Sequence, residues 1–366
     1  MHKSRPAWFR ILHKVHLWIG LILCIPLVLI GLTGSLMVYE HELVDIFSKP
    51  PILAQGTSHS GAEIIAAAKE AAPPKLKPTM YRPAQDGEPA SVRFSAGKRK
   101  PGGGGAQILV DPVSLEIVGK PSNNDFFRTV LQLHSSLLLR ELGGRTIVGW
   151  LGVCLLTLGI SGLVMWWPKK GRLKAAVMVK PGAKGLRLHR DIHGGAGFWA
   201  YLIFITTCFT GIYLAFPQTI GGVFTSRDLR AAPEITQSKK SLNIDSIIDI
   251  AQNSVPDSKV LAVMFPQKPD QPYRINLALP DYREGTPMIT VFVDQYQSKI
   301  AETRDPEQYS TGETIVTWAH AVHAGQAFGW VWKLLVFLIG FFPLLFSITG
   351  VSMWMIKRRP KRRRKG

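Results

Sequence analysis

Seven of the ten histidines in this 366-residue chain stand at the ends of long uncharged runs. His13 and His16 head the run Val15–Tyr39, and His189 and His193 head Ile192–Ser226. His134 lies ahead of Thr146–Pro168, while His320 and His323 lie ahead of Leu334–Ile356. A neutral imidazole is a ligand for iron, zinc or copper. One histidine at one helix end signifies little, because the residue sits comfortably at an interface. All four runs carry it here, and an ionisable group beside hydrocarbon points to function. Spacing adds to this. His13/His16 and His320/His323 are i,i+3 pairs and His189/His193 is i,i+4, so each doublet shares a helix face. The H-x-x-x-G spacing at His16–Gly20 and His193–Gly197 places a glycine one turn on, with room for a flat ring. Gly31, Gly34, Gly162, Gly211 and Gly350 extend this small-residue lining. Two facing helices that each offer an imidazole suit an iron macrocycle clamped from both sides. A bare zinc or copper ion is the rival ligand, although neither group of histidines includes a Cys or paired carboxylates.

The elements that carry these residues are membrane spans. The chain is 46% hydrophobic and 19% charged, against about a quarter charged in soluble domains. An ordinary soluble enzyme is excluded. Each uncharged run exceeds the ~20 residues that cross a ~30 Å hydrocarbon core. Residues 1–14 carry four Lys/Arg, 169–191 carry eight against Asp191, and 357–366 carry eight, so these segments sum to 20 − 1 = +19, the whole net charge. Lys and Arg stay on the cytoplasmic side during insertion. Both termini and the middle loop are therefore expected inside, and the basic excess reports topology rather than a nucleic-acid partner. The expected order is a cytoplasmic segment 1–14, span 15–39, exported domain 40–145, span 146–168 and a cytoplasmic loop 169–191. Span 192–217, exported domain 218–332, span 333–356 and a cytoplasmic tail 357–366 follow. The first run is too long for a signal-peptide core and no small-x-small cleavage site follows it, so it reads as a retained helix. Cys24, Cys154 and Cys208 all fall within spans and the exported loops have none, so no disulfide is expected there.

The two halves repeat. An offset of 177 matches His16 to His193, Gly20 to Gly197, Thr33 to Thr210 and Gly34 to Gly211, and an offset of 188 matches Gly162, Met165 and Trp166 to Gly350, Met353 and Trp354. Between these lies ILVDPVSLEI against VFVDQYQSKI. Two like-oriented halves imply a pseudo-twofold axis along the membrane normal. The repeat favours His16 with His193 near one face, and His134 with His323 near the other. In the exported domains, helices are expected at Gly61–Ala72 and Leu242–Asn253. Strands are expected at Ser91–Ser95, Gln107–Asp111, Leu115–Gly119, Val260–Phe265, Tyr273–Ala278, Ile289–Asp294 and Ser298–Thr303. Lys98–Gly105 (KRKPGGGG) reads as a loop, without the strand-to-helix setting of a phosphate loop. Phe126, Phe127, Trp318, Phe328, Trp330 and Trp332 read as an outer interfacial belt or the wall of a docking patch.

Several stretches resemble the PepSY-associated transmembrane family: HLWIGL at 16–21, LHSSLLL at 133–139, GISGLVMWWP at 159–168, HRDIHGGAGFW at 189–199, VHAGQAFGW at 322–330 and SITGVSMWM at 347–355. The resemblance covers nearly the whole chain. It implies an α-helical membrane protein of the bacterial inner membrane, a four-helix bundle from two tandem repeats with two periplasmic PepSY-like α+β domains. The first domain departs from the pattern in its short helix and glycine-rich insertion. Within the family the nearest likeness is to ferric-siderophore reductases carrying two b-type haems. That implies haem iron held by His16 with His193 and by His134 with His323. His13, His189 and His320 would then bond propionates, relay protons or lie at the interface, with Arg145, Arg10, Lys14 and Arg190 as propionate partners. An electron would enter near the cytoplasmic pair and leave near the periplasmic pair, reducing an iron(III) chelate and releasing iron(II). Hard hydroxamate-type oxygens hold iron(III) better than iron(II). The electron donor would be a quinol or a separate reductase, since 169–191 is too short for a flavin or nicotinamide domain. A non-catalytic periplasmic scaffold and a siderophore or ion transporter are the alternatives, the latter without an acidic residue in any span.

Overall fold

A computed structural model describes residues 6–47, 51–85, 87–96, 105–119, 125–226, 228–229, 231–238 and 241–358. In chain order the elements begin with helices α1 (Ala7–Ile22), α2 (Cys24–Val38), α3 (Glu40–Phe47) and α4 (Gly61–Ala71). Strands β1 (Lys77–Arg82), β2 (Ala90–Ser95), β3 (Ala106–Val110) and β4 (Ile117–Gly119) follow. Next come α5 (Asp125–Ser136), α6 (Gly144–Trp166), α7 (Leu173–Val177), α8 (Gly185–Ala215), α9 (Pro217–Phe224) and α10 (Ile244–Asn253). The chain ends with β5 (Lys259–Met264), β6 (Tyr273–Ala278), β7 (Ile289–Asp294), β8 (Lys299–Arg304), α11 (Thr311–Ala324), α12 (Trp330–Ile339) and α13 (Phe342–Arg358). The described residues divide into two compact units. One draws on 1–40, 126–223 and 319–366, and the other on 41–125 and 224–318.

The first unit is helical and apolar. Gly144–Trp166, Gly185–Ala215 and Trp330–Arg358 are long and apolar enough to cross a membrane, and α1 with α2 makes a fourth crossing if that bent pair is one span. The bend is 66°. Its cause is Pro26, which has no N–H to give the Ile22 carbonyl and whose ring crowds that turn. Helix α1 accordingly ends at Ile22, and Leu23 leaves helical geometry at φ −97°, ψ 6°. Pro343 stands in the same relation to Ile339, where α12 ends. Both prolines are visible inside the uncharged runs, but the length and apolarity that mark a span do not register a missing donor. Helix α8 packs on α6 and α13, α2 on α12 and α13, and α1 on α6 and α13. Small residues permit the closest approaches. A Cβ on Gly31 would strike the Gly340 carbonyl oxygen, and Ser35 Oγ donates to the Phe337 carbonyl at 2.6 Å.

The second unit is one antiparallel sheet of eight strands, ordered β4-β3-β2-β1-β5-β6-β7-β8. The two long segments between the apolar runs, expected as two exported domains, join edge to edge where Met80 and Tyr81 pair with Met264 and Val263. Seven strands lie within a residue or two of the expected positions, and the two helices do as well. Strand β1 was not anticipated. Its sequence, KPTMYR, has a proline at its second position beside a register shift, and both its partners are set by the fold. Helices α4 and α10 cover one face, burying Ile64, Ala68, Ile247 and Ala251 against Val92, Phe94, Ile108, Val263, Ile275 and Val291. Ser60 and Glu63 form a capping box at the start of α4. The two aspartates matched by the repeat both turn corners. Asp111 accepts from the Val113 and Ser114 amides at 2.8 and 3.1 Å, and Asp294 from those of Tyr296 and Gln297 at 2.8 and 3.2 Å. Apart from Gly105, the glycine-rich stretch lies outside the described residues.

Candidate functional site

Within the helical unit the histidines form two ring pairs. His16 on α1 faces His193 on α8 with ring centroids 6.3 Å apart and planes at 69°. His16 Nδ1 lies 2.8 Å from Ser161 Oγ on α6, and His193 Nδ1 lies 2.7 Å from Thr349 Oγ1 on α13. Each hydroxyl already donates its single proton to a carbonyl one turn back, Ser161 to Thr157 at 2.6 Å and Thr349 to Leu345 at 2.8 Å. Each therefore accepts from Nδ1–H. In a neutral imidazole that leaves Nε2 with its lone pair, the form a metal requires.

The second pair is His134 on α5 and His323 on α11, with centroids 6.0 Å apart and planes at 46°. Here Nδ1–H donates to a main-chain carbonyl, of Ile30 at 2.9 Å and of Thr207 at 3.0 Å. Thr33 and Thr210 hydroxyls stand beside the same nitrogens at 3.4 and 3.1 Å. The tautomer is the same as in the first pair. None of the four rings has a further hydrogen-bond partner at Nε2 among the described residues. His134 and His323 sit on separate helices ahead of the membrane crossings. Leu137 (φ 50°) and Leu138 (φ 60°) turn the chain after α5, and Gly325 (φ 81°) turns it after α11.

One device seats all four rings. A Ser or Thr followed by Gly supplies a hydroxyl next to Nδ1, and at Gly34, Gly211 and Gly162 the missing Cβ also leaves the ring its room. Cβ atoms on Gly34, Gly211, Gly162 and Gly350 would meet Cε1 of His134, His323, His16 and His193 at 2.9, 3.0, 3.3 and 3.8 Å. The dipeptides are Thr33-Gly34, Thr210-Gly211, Ser161-Gly162 and Thr349-Gly350. The first two differ by 177 positions and the last two by 188, so the contacts carry the internal repeat. Ser161 and Thr349 were missed as functional residues, and the recurring dipeptide is the signal that would have found them. The H-x-x-x-G glycines press on neither ring: a Cβ on Gly20 or Gly197 would make only an ordinary 3.9 Å contact, with Leu158 or Phe346.

The other expected residues lie around these pairs. His13 on α1 and His320 on α11 are exposed and His189 on α8 is half-buried; none of them forms either ring pair. The Arg145 guanidinium donates to the Leu214 carbonyl. Arg190 and Arg187 lie 3.4 and 3.3 Å from the Asp191 carboxylate, while Arg10 and Lys14 are exposed. Of the outer aromatics, Phe126, Phe328 and Trp330 are exposed and Phe127 is buried. Trp332 Nε1 donates to the Val322 carbonyl at 2.9 Å, next to His323. Trp166 stacks on Phe198 at 4.8 Å, and Phe346 lies 4.9 Å from the His193 ring. Cys24, Cys154 and Cys208 are free thiols.

No curated protein matches this chain. A family profile described as the PepSY-associated TM region matches residues 13–357, a span that takes in all seven histidines and the sheet, and the chain belongs to that family.

Proposed function

We propose that this protein is an inner-membrane reductase of iron(III) chelates. In this reading it spans the bilayer as a four-helix bundle of two tandem repeats, bears two b-type haems and exports a PepSY-like sheet unit to the periplasm. The observation that carries the proposal is the two imidazole pairs with unprotonated Nε2 at centroid separations of 6.3 and 6.0 Å. With metal–nitrogen bonds of about 2 Å, imidazoles on opposite sides of one ion set their ring centres roughly 6 Å apart. The donor set favours a macrocycle over a bare ion. Among the described residues no three or more His, Cys, Asp or Glu side chains gather as a metal site. Zinc asks for three or four protein ligands, whereas haem iron needs only the two axial ones.

His16 with His193 would hold one haem and His134 with His323 the other; when bound, each supplies one-electron iron chemistry. The chain's own residues do the rest. Ser161, Thr349 and the Ile30 and Thr207 carbonyls hold the protons on Nδ1 and fix each ring's orientation. Gly34, Gly211 and Gly162 let their rings seat against the helices. No side chain acts as nucleophile or general base, because reduction alone loosens a hard-oxygen chelate. Cytoplasmic termini and a cytoplasmic 169–191 loop follow from the basic residues there. The test is anaerobic reduction of purified protein followed by a ferric siderophore. The reduced spectrum is expected to reoxidise, and a spectrum that stays reduced contradicts the proposed substrate.

A further inference from the structure

The sheet face opposite α4 and α10 carries a lateral row of side chains. Cross-strand partners run Gln107, Arg93, Met80, Met264, Arg274, Phe292 and Glu302, one from each of seven adjacent strands. Strand alternation puts them opposite the buried Val92, Tyr81, Val263, Ile275 and Val291. The row is centred on the β1–β5 junction, so Met80 and Met264 occupy equivalent places, as do Arg93 and Arg274 on the second strand of each half. Arg82 and Arg304, two residues from Met80 and Glu302, join the same face.

Among the described residues only one of these four arginines pairs with a carboxylate. Arg304 pairs with Glu302 at 2.9 Å and lies 4.6 Å over the Phe292 ring. Arg82, Arg93 and Arg274 have no carboxylate partner among the described residues. Arg274 Nε is buried without a hydrogen-bond partner. Burial lowers the Arg93 and Arg274 guanidinium pKa values from their ordinary level, and their neighbours Arg82 and Arg304 lower them further. Arg274 is half-buried with that Nε unsatisfied and Arg93 is exposed, so an anion spanning the row would complete the first and meet the second. Between Arg93 and Arg274 lie two methionines, soft side chains that adapt to varied apolar and aromatic ligands. Three strand spacings, about 14 Å, separate the two arginines. Guanidinium groups pair with hard oxygens and stack on aromatic rings.

We propose that this row binds an aromatic, polyanionic iron(III) chelate of the tris-catecholate type, seated on Met80 and Met264 between Arg93 and Arg274. That the ligand is an iron chelate rests on the reductase reading. Its anionic, aromatic character rests on the row itself, and it favours catecholates over neutral hydroxamates. The test is titration of full-length protein in detergent with gallium(III) tris-catecholate, which has the same charge but does not accept an electron. Saturable binding is expected, weakened roughly tenfold by Arg93→Gln and again by Arg274→Gln. Lys replacements should recover part of it, and Lys69→Gln on α4 should leave it unchanged. The neutral gallium(III) tris-hydroxamate should bind at least roughly tenfold more weakly. No binding, equal binding by the double variant, or equal binding of the neutral chelate would overturn the proposal. If the gallium titration holds while ferric chelates fail to reoxidise reduced protein, the binding site stands and the reductase reading falls.

Discussion

An imidazole nitrogen cannot hold a proton and a metal at once, so the partner of Nδ1 decides what Nε2 can do. In all four histidines that partner is an acceptor, and a hydroxyl one residue from a glycine stands beside each Nδ1. Two expectations follow. Gly34→Ala and Gly211→Ala place a methyl 2.9 and 3.0 Å from an imidazole carbon, whereas Gly350→Ala places it at 3.8 Å, an ordinary contact. The first two should each cost the outer pair its pigment, and Gly350→Ala should leave the inner pair's intact, read from the Soret absorbance of purified protein. Ser161→Ala removes the acceptor at 2.8 Å from His16 Nδ1. Losing the hydrogen bond that orients a metal-binding ring is worth about 10- to 100-fold in metal affinity. Haem retention in a competition assay should fall by that order, and Ser161→Thr should recover most of it. The histidines were legible because ionisable residues stand out against apolar runs. Their hydroxyl partners were not, because Ser-Gly and Thr-Gly look like ordinary small-residue packing until the rings are seen resting on them.

At the scale of elements, spans and strands were legible from uncharged length and alternation, whereas breaks and non-local pairings were not. Pro26 and Pro343 each remove one donor, and neither changes the hydropathy that marks a span. Strand β1 is specified by its neighbours rather than by KPTMYR itself. Asp111 supplies a test of a corner that the sequence did mark. The Ala54 amide at 2.6 Å, with those of Val113 and Ser114, holds its carboxyl below the ordinary carboxylate value. A carboxyl with a depressed folded-state pKa contributes stability that is complete above its unfolded value, near 4. That stability is lost as pH falls through the depressed value. Hydrogen exchange at Ala54 and Ser114 should therefore stay slow down to about pH 4 and quicken below it. In Asp111→Asn it should be faster at neutral pH and nearly independent of pH in that range, once intrinsic exchange is corrected for.

Across the whole molecule, the repeat and the charge distribution were both readable from sequence. Offsets of 177 and 188 recur in the ring contacts, and the net charge of +19 lies in three short segments. The joining of both halves into one sheet was not readable, because the β1–β5 pairing links residues far apart in the chain. The charge asymmetry predicts sidedness. Cysteines introduced at Lys69 and Lys170 should differ, with Lys69→Cys reacting with an impermeant maleimide in spheroplasts and Lys170→Cys only after permeabilisation. Equal labelling would contradict the topology.

The central claim is that two imidazole pairs each hold one haem, and a pyridine haemochrome titration of purified protein tests it most directly. The account predicts two b-type haems per chain. Loss of one is expected on His16→Ala or His193→Ala, and loss of the other on His134→Ala or His323→Ala. Colourless protein from haem-replete cells, or four alanine variants that keep the full pigment, would contradict it.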